Sequence, residues 1–410
     1  MGDEPMHAEI TVLTNGVAVI SEHLPGRQGV ALSLSLGNGS RDQLREENGF
    51  AHLLEHMVFK GSLLRDADAL NAAMEALGGT INAFTDREMT VFHGTMLAED
   101  AGAGFALLEE MLMRPKFAHA DLRLEKQVVA QEAAMAAEDI EDWVQERVLR
   151  ELWGDHSLAW PVLGSARCIR QASRRRLVAY HARVLRESRL VVVGVGKVAH
   201  DTLCRWAEGA FGDIAPQPRG ADQPPTFRIG RRLVHRPQAQ QAHLVWAAQA
   251  CSVADPDYYA YAVANLILGG GTASHLFREL RERRGLAYQV FSHLEALRDA
   301  GEWMIYVATP ARSRDETAVA MAEVLHRLME NGPEAEELAG AKRSLRVQIL
   351  LGQEDVETRM ARLGRQWLYL GRCIAVEESL QRLAAVDAAA VTAVLSKAWG
   401  QRFELSCLPG

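Results

Sequence analysis

Two histidines and a glutamate stand at a spacing that suits metal-assisted hydrolysis. In the segment His52-Leu-Leu-Glu-His56 the histidines are four residues apart, and Glu55 immediately precedes the second one. On a helix this spacing separates His52 and His56 by roughly 40° and about 6 Å along the axis, so both imidazoles can reach one ion. The Glu55 carboxylate then lies beside the same ion and can take a proton from water. This is the inverted order of the His-Glu-x-x-His zinc helix.

A catalytic zinc usually takes three protein ligands, so two histidines require a third ligand from elsewhere in the fold. A helix predicted over 121–137 offers Glu125 and Glu132, which are seven residues apart and lie on one face after two turns. The residues alone leave both glutamates open. An ordinary packed helix is the alternative interpretation of the histidines. However, apolar neighbours such as Leu53 and Met57 indicate burial, and buried polar groups are costly without partners. A metal would supply those partners.

The composition limits the class of protein. Hydrophobic residues make up 48% of the 410 residues and charged residues 24%, which allows two or more domains with separate cores. The net charge of -8 without a long basic run predicts neither a nucleic-acid nor a membrane partner. The five cysteines are widely scattered, which argues against a disulfide framework. No apolar secretory or bilayer-spanning stretch is present, so we expect a soluble, cytoplasmic protein.

The residue pattern predicts an α+β fold of two tandem homologous domains, each a mostly antiparallel sheet packed against helices. Asn15-Gly16 predicts a hairpin near the start of the chain. A proline- and glycine-rich segment over 213–225 is typical of a linker, and the order of strands and helices restarts after it. Residues 109–126 align without gaps on 325–342, with Lys126 opposite Lys342. The predicted domains are therefore 1–212 and 226–410.

Seven separate motifs stand in order along the chain, at 13–17, 39–41, 49–62, 78–85, 125–132, 268–271 and 281–288. Together they resemble the pitrilysin/insulinase family of inverted-motif zinc peptidases. The likeness is greatest to the branch of mitochondrial processing peptidase and its small bacterial relatives, and it covers nearly the whole chain.

The resemblance implies one Zn²⁺ per chain, bound by His52, His56 and Glu132. It makes Glu55 the general base and Glu125 an acid that supports a ligand histidine. The domain at 1–212 is then the zinc-binding catalytic domain.

The resemblance also implies contacts with the substrate. Arg281 and Tyr288 match a catalytic pair in the second domain, where tyrosine can donate to an oxyanion and arginine can hold a carbonyl. A solvated, charged helix face is the alternative interpretation of Arg281. Residues proposed to bind the peptide are those of a substrate-pairing edge strand and a glycine-rich loop: Asn82, Ala83, Phe84, Gly269, Gly270 and Gly271. Without the resemblance, the strand could equally be an ordinary sheet edge.

The repeat predicts that the second domain holds no metal. In a rough alignment His52 falls on His275 and Glu55 on Arg278, while Glu132 falls on Gln348. We therefore expect a zinc-dependent endopeptidase or oligopeptidase that hydrolyses extended peptides in a chamber formed by two chains, most simply a homodimer. The alternatives are the zinc-carrying half of an obligate heterodimer with a homologous subunit, and a non-catalytic partner subunit. A metal-dependent hydrolase of another substrate class is a further rival.

Overall fold

The computed structural model describes residues 8–215 and 224–410, so most of the predicted linker at 213–225 lies outside the described residues. The chain forms two compact units, each built on one sheet. The first comprises the described parts of Met1–Met135 and Trp160–Asp222 with Gly352–Cys373. The second comprises Ala136–Ala159, Ile374–Gly410 and the described part of Gln223–Leu351. The α+β class with two homologous sheets is as predicted.

The first sheet has six strands and runs antiparallel except where its second and sixth strands pair. Its first two strands form the hairpin that Asn15-Gly16 predicts. Along the sheet the strand order is β1-β2-β6-β3-β5-β4, which leaves β1 and β4 as edges. The strand bounds are β1 Glu9–Val12, β2 Ala18–His23, β3 Gly29–Leu36, β4 Thr80–Thr85, β5 Thr90–Leu97 and β6 Leu190–Gly196.

The helices in the first half of the chain cover one face of this sheet, except for the helix Ile140–Trp153, which packs on the second sheet. Leucines of β3 and the apolar residues of the first helix share a single buried cluster. The helix bounds are α1 Phe50–Val58, α2 Ala67–Ala76, α3 Ala101–Met113, α4 His119–Glu138, α5 Ile140–Trp153, α6 Ala166–Gln171, α7 Arg174–Glu187 and α8 His200–Phe211.

The second sheet repeats the topology of the first without a counterpart of β1. Its strand order is β7-β11-β8-β10-β9, and its one parallel pair is β7 with β11. The strand bounds are β7 Gly230–Arg236, β8 Ala242–Gln249, β9 Gln289–Ala296, β10 Gly301–Thr309 and β11 Arg402–Pro409. The helices are α9 Tyr258–Gly269, a π-helical segment Phe277–Arg283, α10 Arg314–Asn331, α11 Ala335–Leu351, α12 Val356–Leu370, α13 Val376–Ala385 and α14 Ala388–Trp399.

Each sheet receives one helix from the other half of the chain. Helix α12 packs on β3 and β6 of the first sheet, where Met360 and Leu363 join Ile20 and Val193 in a buried cluster. Helix α5 packs on β8 and β11 of the second sheet. Because both faces of each sheet are apolar, each needs a second covering layer. The compact units are therefore not contiguous in sequence, and the boundaries at 212 and 226 stay a prediction about the repeat.

A pair of lysines marks the repeat in three dimensions. The Lys126 ammonium donates to the carbonyls of Arg170 and Ala172 at 2.5 and 2.9 Å, at the end of α6. The aligned Lys342 donates to two carbonyls at the end of α13, at 2.5 and 2.7 Å. The predicted register between 109–126 and 325–342 therefore places equivalent side chains in equivalent positions.

The order of elements corrects one part of the sequence alignment. Helix α1 follows β3 and contacts α7 and β4, and α9 follows β8 and contacts α14 and β9. The counterpart of α1 is therefore α9, and the counterpart of α2 is the helical segment that begins at His275. The prediction that His52 corresponds to His275 is wrong, because it matched a short run of residues across two different helices.

No helix in the described parts of the chain combines the length and apolarity needed to cross a membrane. The cytoplasmic location stays a prediction. All five cysteines are free thiols.

Candidate metal centre

Helix α1 begins at a tightly packed glycine. Gly49 has φ 97°, and a Cβ there would lie 2.7 Å from the Cα of Gly164. The Gln43 side chain caps the helix, since its Oε1 accepts hydrogen bonds from the N–H groups of Gly49 and Phe50 at 2.7 and 3.2 Å. These bonds satisfy two of the helix's free N-terminal donors. The close packing of Gly49 on Gly164 and the Gln43 cap therefore fix where α1 starts and how its first turn is oriented.

The polar residues of α1 share its less buried side. His52, Glu55 and His56 are half-buried, whereas the six apolar residues of the helix are fully buried. The buried six are Phe50, Ala51, Leu53, Leu54, Met57 and Val58. Packing of the apolar side thus directs the two imidazoles and the carboxylate to one common side.

Helix α4 brings two glutamates to the side of α1 that carries His52, Glu55 and His56. Leu122, Glu125 and Val129 are its buried residues, at the spacing of one helical stripe. Glu132 continues this stripe by three residues. The apolar members of the stripe pack in the core, so the glutamates between and beyond them face α1.

His52, His56 and Glu132 form one group of possible metal ligands, with one donor atom of each lying within 4.8 Å of the others. The Glu132 Oε2 atom lies 3.7 Å from His52 Nε2 and 3.4 Å from His56 Nε2. The two imidazole rings are 4.6 Å apart between centroids. Within the described residues this is the one such group of three.

The chemistry of this group fits a zinc ion. Glu132 Oε2 is buried yet has no hydrogen-bond partner, which is costly unless a cation shares the space. Burial, together with the neighbouring His56, lowers the pKa of His52 to about 4, so the ring is neutral and can act as a ligand. Two histidines and one carboxylate are a common donor set for catalytic zinc.

Glu125 contacts the other side of His56. Its Oε2 lies 2.9 Å from His56 Nδ1, and its Oε1 lies 2.9 Å from the Lys60 ammonium. Glu125 therefore lies on the Nδ1 side of the His56 ring, while Glu132 lies on its Nε2 side. The choice between the two glutamates that the residues alone left open is made by the way α4 lies against α1.

Glu55 lies beside the ligand group with one free oxygen. Burial raises its pKa, while hydrogen bonds from the hydroxyl and the backbone of Thr85 act in the opposite direction. Its Oε2 is buried and has no hydrogen-bond partner. The carboxylate is thus held by the end of β4 and keeps one oxygen available for a proton.

The strand predicted to pair with substrate is an edge of the first sheet. Strand β4 pairs only with β5, so its other side is free within the described structure. Ala83 is buried toward the core, whereas Asn82 and Phe84 are exposed. A free edge is required for strand addition. Peptide binding there stays a prediction.

Arg281 and Tyr288 lie together in the second unit, whereas the ligand group belongs to the first. The Arg281 guanidinium carbon lies 5.1 Å from the centroid of the Tyr288 ring. Tyr288 is 75% exposed, which is unusual for a large aromatic side chain. Their contact with substrate stays a prediction.

The three glycines at 269–271 differ in their surroundings. A Cβ on Gly269 would lie 2.6 Å from the Ser292 nitrogen, so this glycine lets α9 approach β9. Nothing lies within 4 Å of a Cβ on Gly271. Packing explains the first glycine, and a substrate contact of the loop stays a prediction.

Three residues support the centre or the start of α1 without a role predicted from the sequence. Gln43 precedes α1 by seven residues and caps it, a contact that no local pattern signals. Lys60 follows His56 by four residues, a spacing that could have suggested proximity. Thr85 carried no comparable signal, because its contact with Glu55 depends on how β4 lies against α1.

Two protein-family models match the chain. The model described as "Insulinase (Peptidase family M16)" matches residues 18–166, and that described as "Peptidase M16 inactive domain" matches residues 171–345. The first contains every residue of the candidate metal centre, whereas the second begins within the first unit, continues into the second and contains none of these residues.

Curated relatives match nearly the whole chain. An uncharacterized zinc protease of Mycobacterium bovis is 34% identical over 405 residues, covering 97% of this chain and 92% of that protein. The uncharacterized zinc protease YmxG of Bacillus subtilis is 29% identical over 395 residues, covering 96% of each.

Two solved structures share the fold. A peptidase M16 inactive domain from Pseudomonas fluorescens has a TM-score of 0.90 at 22% identity, covering 99% of this chain and 98% of that one. A protease from Helicobacter pylori has a TM-score of 0.89 at 18% identity, covering 99% and 100%.

Proposed function

We propose that this chain, which belongs to the insulinase family (peptidase family M16), is a zinc-dependent endopeptidase or oligopeptidase that hydrolyses extended peptides. The observation that carries the proposal is the group formed by His52, His56 and Glu132, with Glu55 beside it and one Glu55 oxygen free. The curated relatives named as zinc proteases support the same activity.

The residues of the chain divide the work of hydrolysis. His52, His56 and Glu132 would hold one Zn²⁺, which when bound acts as a Lewis acid toward the peptide carbonyl and lowers the pKa of water. Glu55 takes the proton of the attacking water and passes it to the leaving amine. Burial raises the Glu55 pKa, which suits a group that must first accept and then release a proton.

Substrate recognition rests on backbone contacts in this proposal. An extended peptide adds to the free edge of β4 at 82–84, where main-chain hydrogen bonds accept many sequences. Tyr288 steadies the oxyanion and Arg281 holds a substrate carbonyl. The peptide lies in a chamber formed by two chains, most simply two copies of this one.

A non-catalytic partner subunit is the less favoured alternative. A subunit without a catalytic role has no need of the complete set of ligands and base, whereas His52, Glu55, His56 and Glu132 are all present here. The match to an inactive domain is confined to residues 171–345, which lie outside the metal centre.

The test combines metal analysis, the native mass of the complex and digestion of a mixed peptide library. We expect zinc in the wild-type protein and peptide cleavage that falls by about 10²–10⁴-fold in Glu55→Gln, with zinc content unchanged. Glu75→Gln, at an exposed position of α2, serves as the matched control and keeps full activity. Wild-type cleavage rates in Glu55→Gln would contradict the mechanism. Cleavage that appears only after a homologous second protein is added would identify a heterodimer.

A further inference from the structure

We propose that Lys60 is a positioning residue of the metal centre, acting through Glu125 to fix the His56 ring in the orientation and tautomer that bind a metal. The inference rests on the proposed function in one respect, which is that the centre binds zinc.

Lys60 lies just beyond the end of α1, and its N–H donates to the carbonyl of Met57 at 3.2 Å. From there its ammonium reaches α4 and lies 2.9 Å from Glu125 Oε1. The second Glu125 oxygen lies 2.9 Å from His56 Nδ1. The carboxylate thus bridges a cation and a ligand histidine, and each of its oxygens has one partner.

Lys60 supplies the positive charge that balances the buried Glu125 carboxylate. The Glu125 side chain is only 6% exposed, and a buried carboxylate is costly without a compensating cation. Among the ion pairs of the described chain, Lys60 is the one lysine or arginine paired with Glu125. The Lys60 side chain remains 39% exposed, so its ammonium keeps part of its hydration.

The consequence for His56 follows from its two nitrogens. A carboxylate accepts a hydrogen bond from Nδ1–H, so Nε2 carries the lone pair. That Nε2 faces Glu132 Oε2 at 3.4 Å, which is the side of the proposed metal. Lys60 holds the other end of the carboxylate and so prevents Glu125 from turning away. Outer partners of this kind orient ligand histidines and raise metal affinity.

His52 shows what a ligand without such support looks like. Its Nδ1 is buried and has no hydrogen-bond partner, so packing alone orients this ring. The Lys60–Glu125 pair therefore acts on one of the two histidines. Loss of Lys60 weakens zinc binding without abolishing it.

The experiment measures zinc affinity at fixed pH by competition with a chromogenic chelator. We expect Lys60→Met to weaken zinc binding by about 10-fold, at the lower end of the roughly 10–100-fold cost of losing an outer partner. Lys60→Arg keeps the charge and recovers most of this loss. Lys342→Met is the matched control, since Lys342 makes the same kind of contact with two backbone carbonyls in the second unit, which holds no member of the centre. It keeps wild-type zinc affinity.

A double-mutant cycle separates this route from a general structural effect. Glu125→Gln weakens zinc binding by itself, and adding Lys60→Met to it produces no further loss, because both changes break the same link. The folded state of each metal-free variant is checked by urea unfolding, with Lys60→Gln as a second replacement.

Three results would overturn the inference. Wild-type affinity in Lys60→Met, or losses that multiply in the double variant, would exclude the route through Glu125. A wild-type protein that binds no zinc would remove the proposed function itself, which the Lys60 variants alone cannot do.

Discussion

Helices α1 and α9 occupy equivalent places in the two units, but only α1 has the means to bind a metal. Each follows the central strand of its sheet and packs against the edge strand and the helix before the last strand. Helix α1 places His52, Glu55 and His56 on its less buried side. Helix α9 has no histidine or acidic residue, and seven of its twelve residues are buried.

The neighbouring helices differ in the same way. Helix α4 supplies Glu125 and Glu132, whereas the aligned positions of α11 are Ala341 and Gln348. The surrounding fold is otherwise shared, since Lys126 and Lys342 make equivalent contacts in the two units. A metal centre therefore depends on a few side chains added to a fold that stands without them.

Both helices are tied to their edge strands by a hydroxyl group. Thr85 of β4 donates to Glu55 of α1, and Ser292 of β9 donates to Asn265 of α9, whose Oδ1 lies 2.7 Å away. Asn265 Oδ1 also accepts from Trp303 Nε1 at 2.8 Å. The same link holds a reactive carboxylate in one unit and a structural amide in the other.

The largest expected effect tests the difference between the two helices. His56→Ala should weaken zinc binding by more than about 100-fold, the upper cost of losing an outer partner, because a direct ligand is lost. Asn265→Ala should keep zinc binding but lower the free energy of unfolding by about 2 kcal/mol, since the buried Trp303 N–H loses its acceptor. Chelator competition and urea unfolding of the metal-free proteins measure the two effects. Loss of zinc in Asn265→Ala would show that the units are not independent in this respect.

The next effect tests the hydroxyl link. Thr85→Val removes the hydroxyl donor to Glu55, and hydrogen bonds to charged groups contribute about 1.5–3 kcal/mol. We therefore expect kcat to fall by roughly 10-fold or more, with zinc content unchanged. Thr85→Ser keeps the hydroxyl and should retain most of the activity. A Thr85→Val protein with normal kcat would mean that the backbone of β4 alone positions Glu55.

The smallest expected effect tests the equivalent contacts of Lys126 and Lys342 in the two units. Lys126→Met and Lys342→Met each remove two hydrogen bonds to backbone carbonyls, and each should lower the free energy of unfolding by about 1–2 kcal/mol. Similar losses in urea unfolding would show that the two anchors are energetically equivalent. A lower free energy of unfolding in only one variant would mean that both units make the contact but only one depends on it for stability.

Much of the fold followed from local pattern. The Asn15-Gly16 turn and the helix around His52 and His56 depend on neighbours in sequence, and the register of Lys126 on Lys342 follows from the similar pattern of two segments, so the residues predict all three. The pairing of His52 with His275 failed because short runs of similar residues on two helices do not reveal which helix follows which strand. The exchange of α5 and α12 between the sheets carried no local signal.

The sequence by itself determined the chemistry available to this protein: two histidines and a glutamate at helical spacing, and a later helix with two more glutamates. Spacing left both glutamates open and the resemblance implied Glu132; the tertiary structure then placed Glu132 in the ligand group and Glu125 against His56 Nδ1. It also brought Lys60 to Glu125 and Thr85 to Glu55. The physical reason is that spacing along a helix sets which residues share a face, whereas the packing of apolar surfaces sets what that face meets.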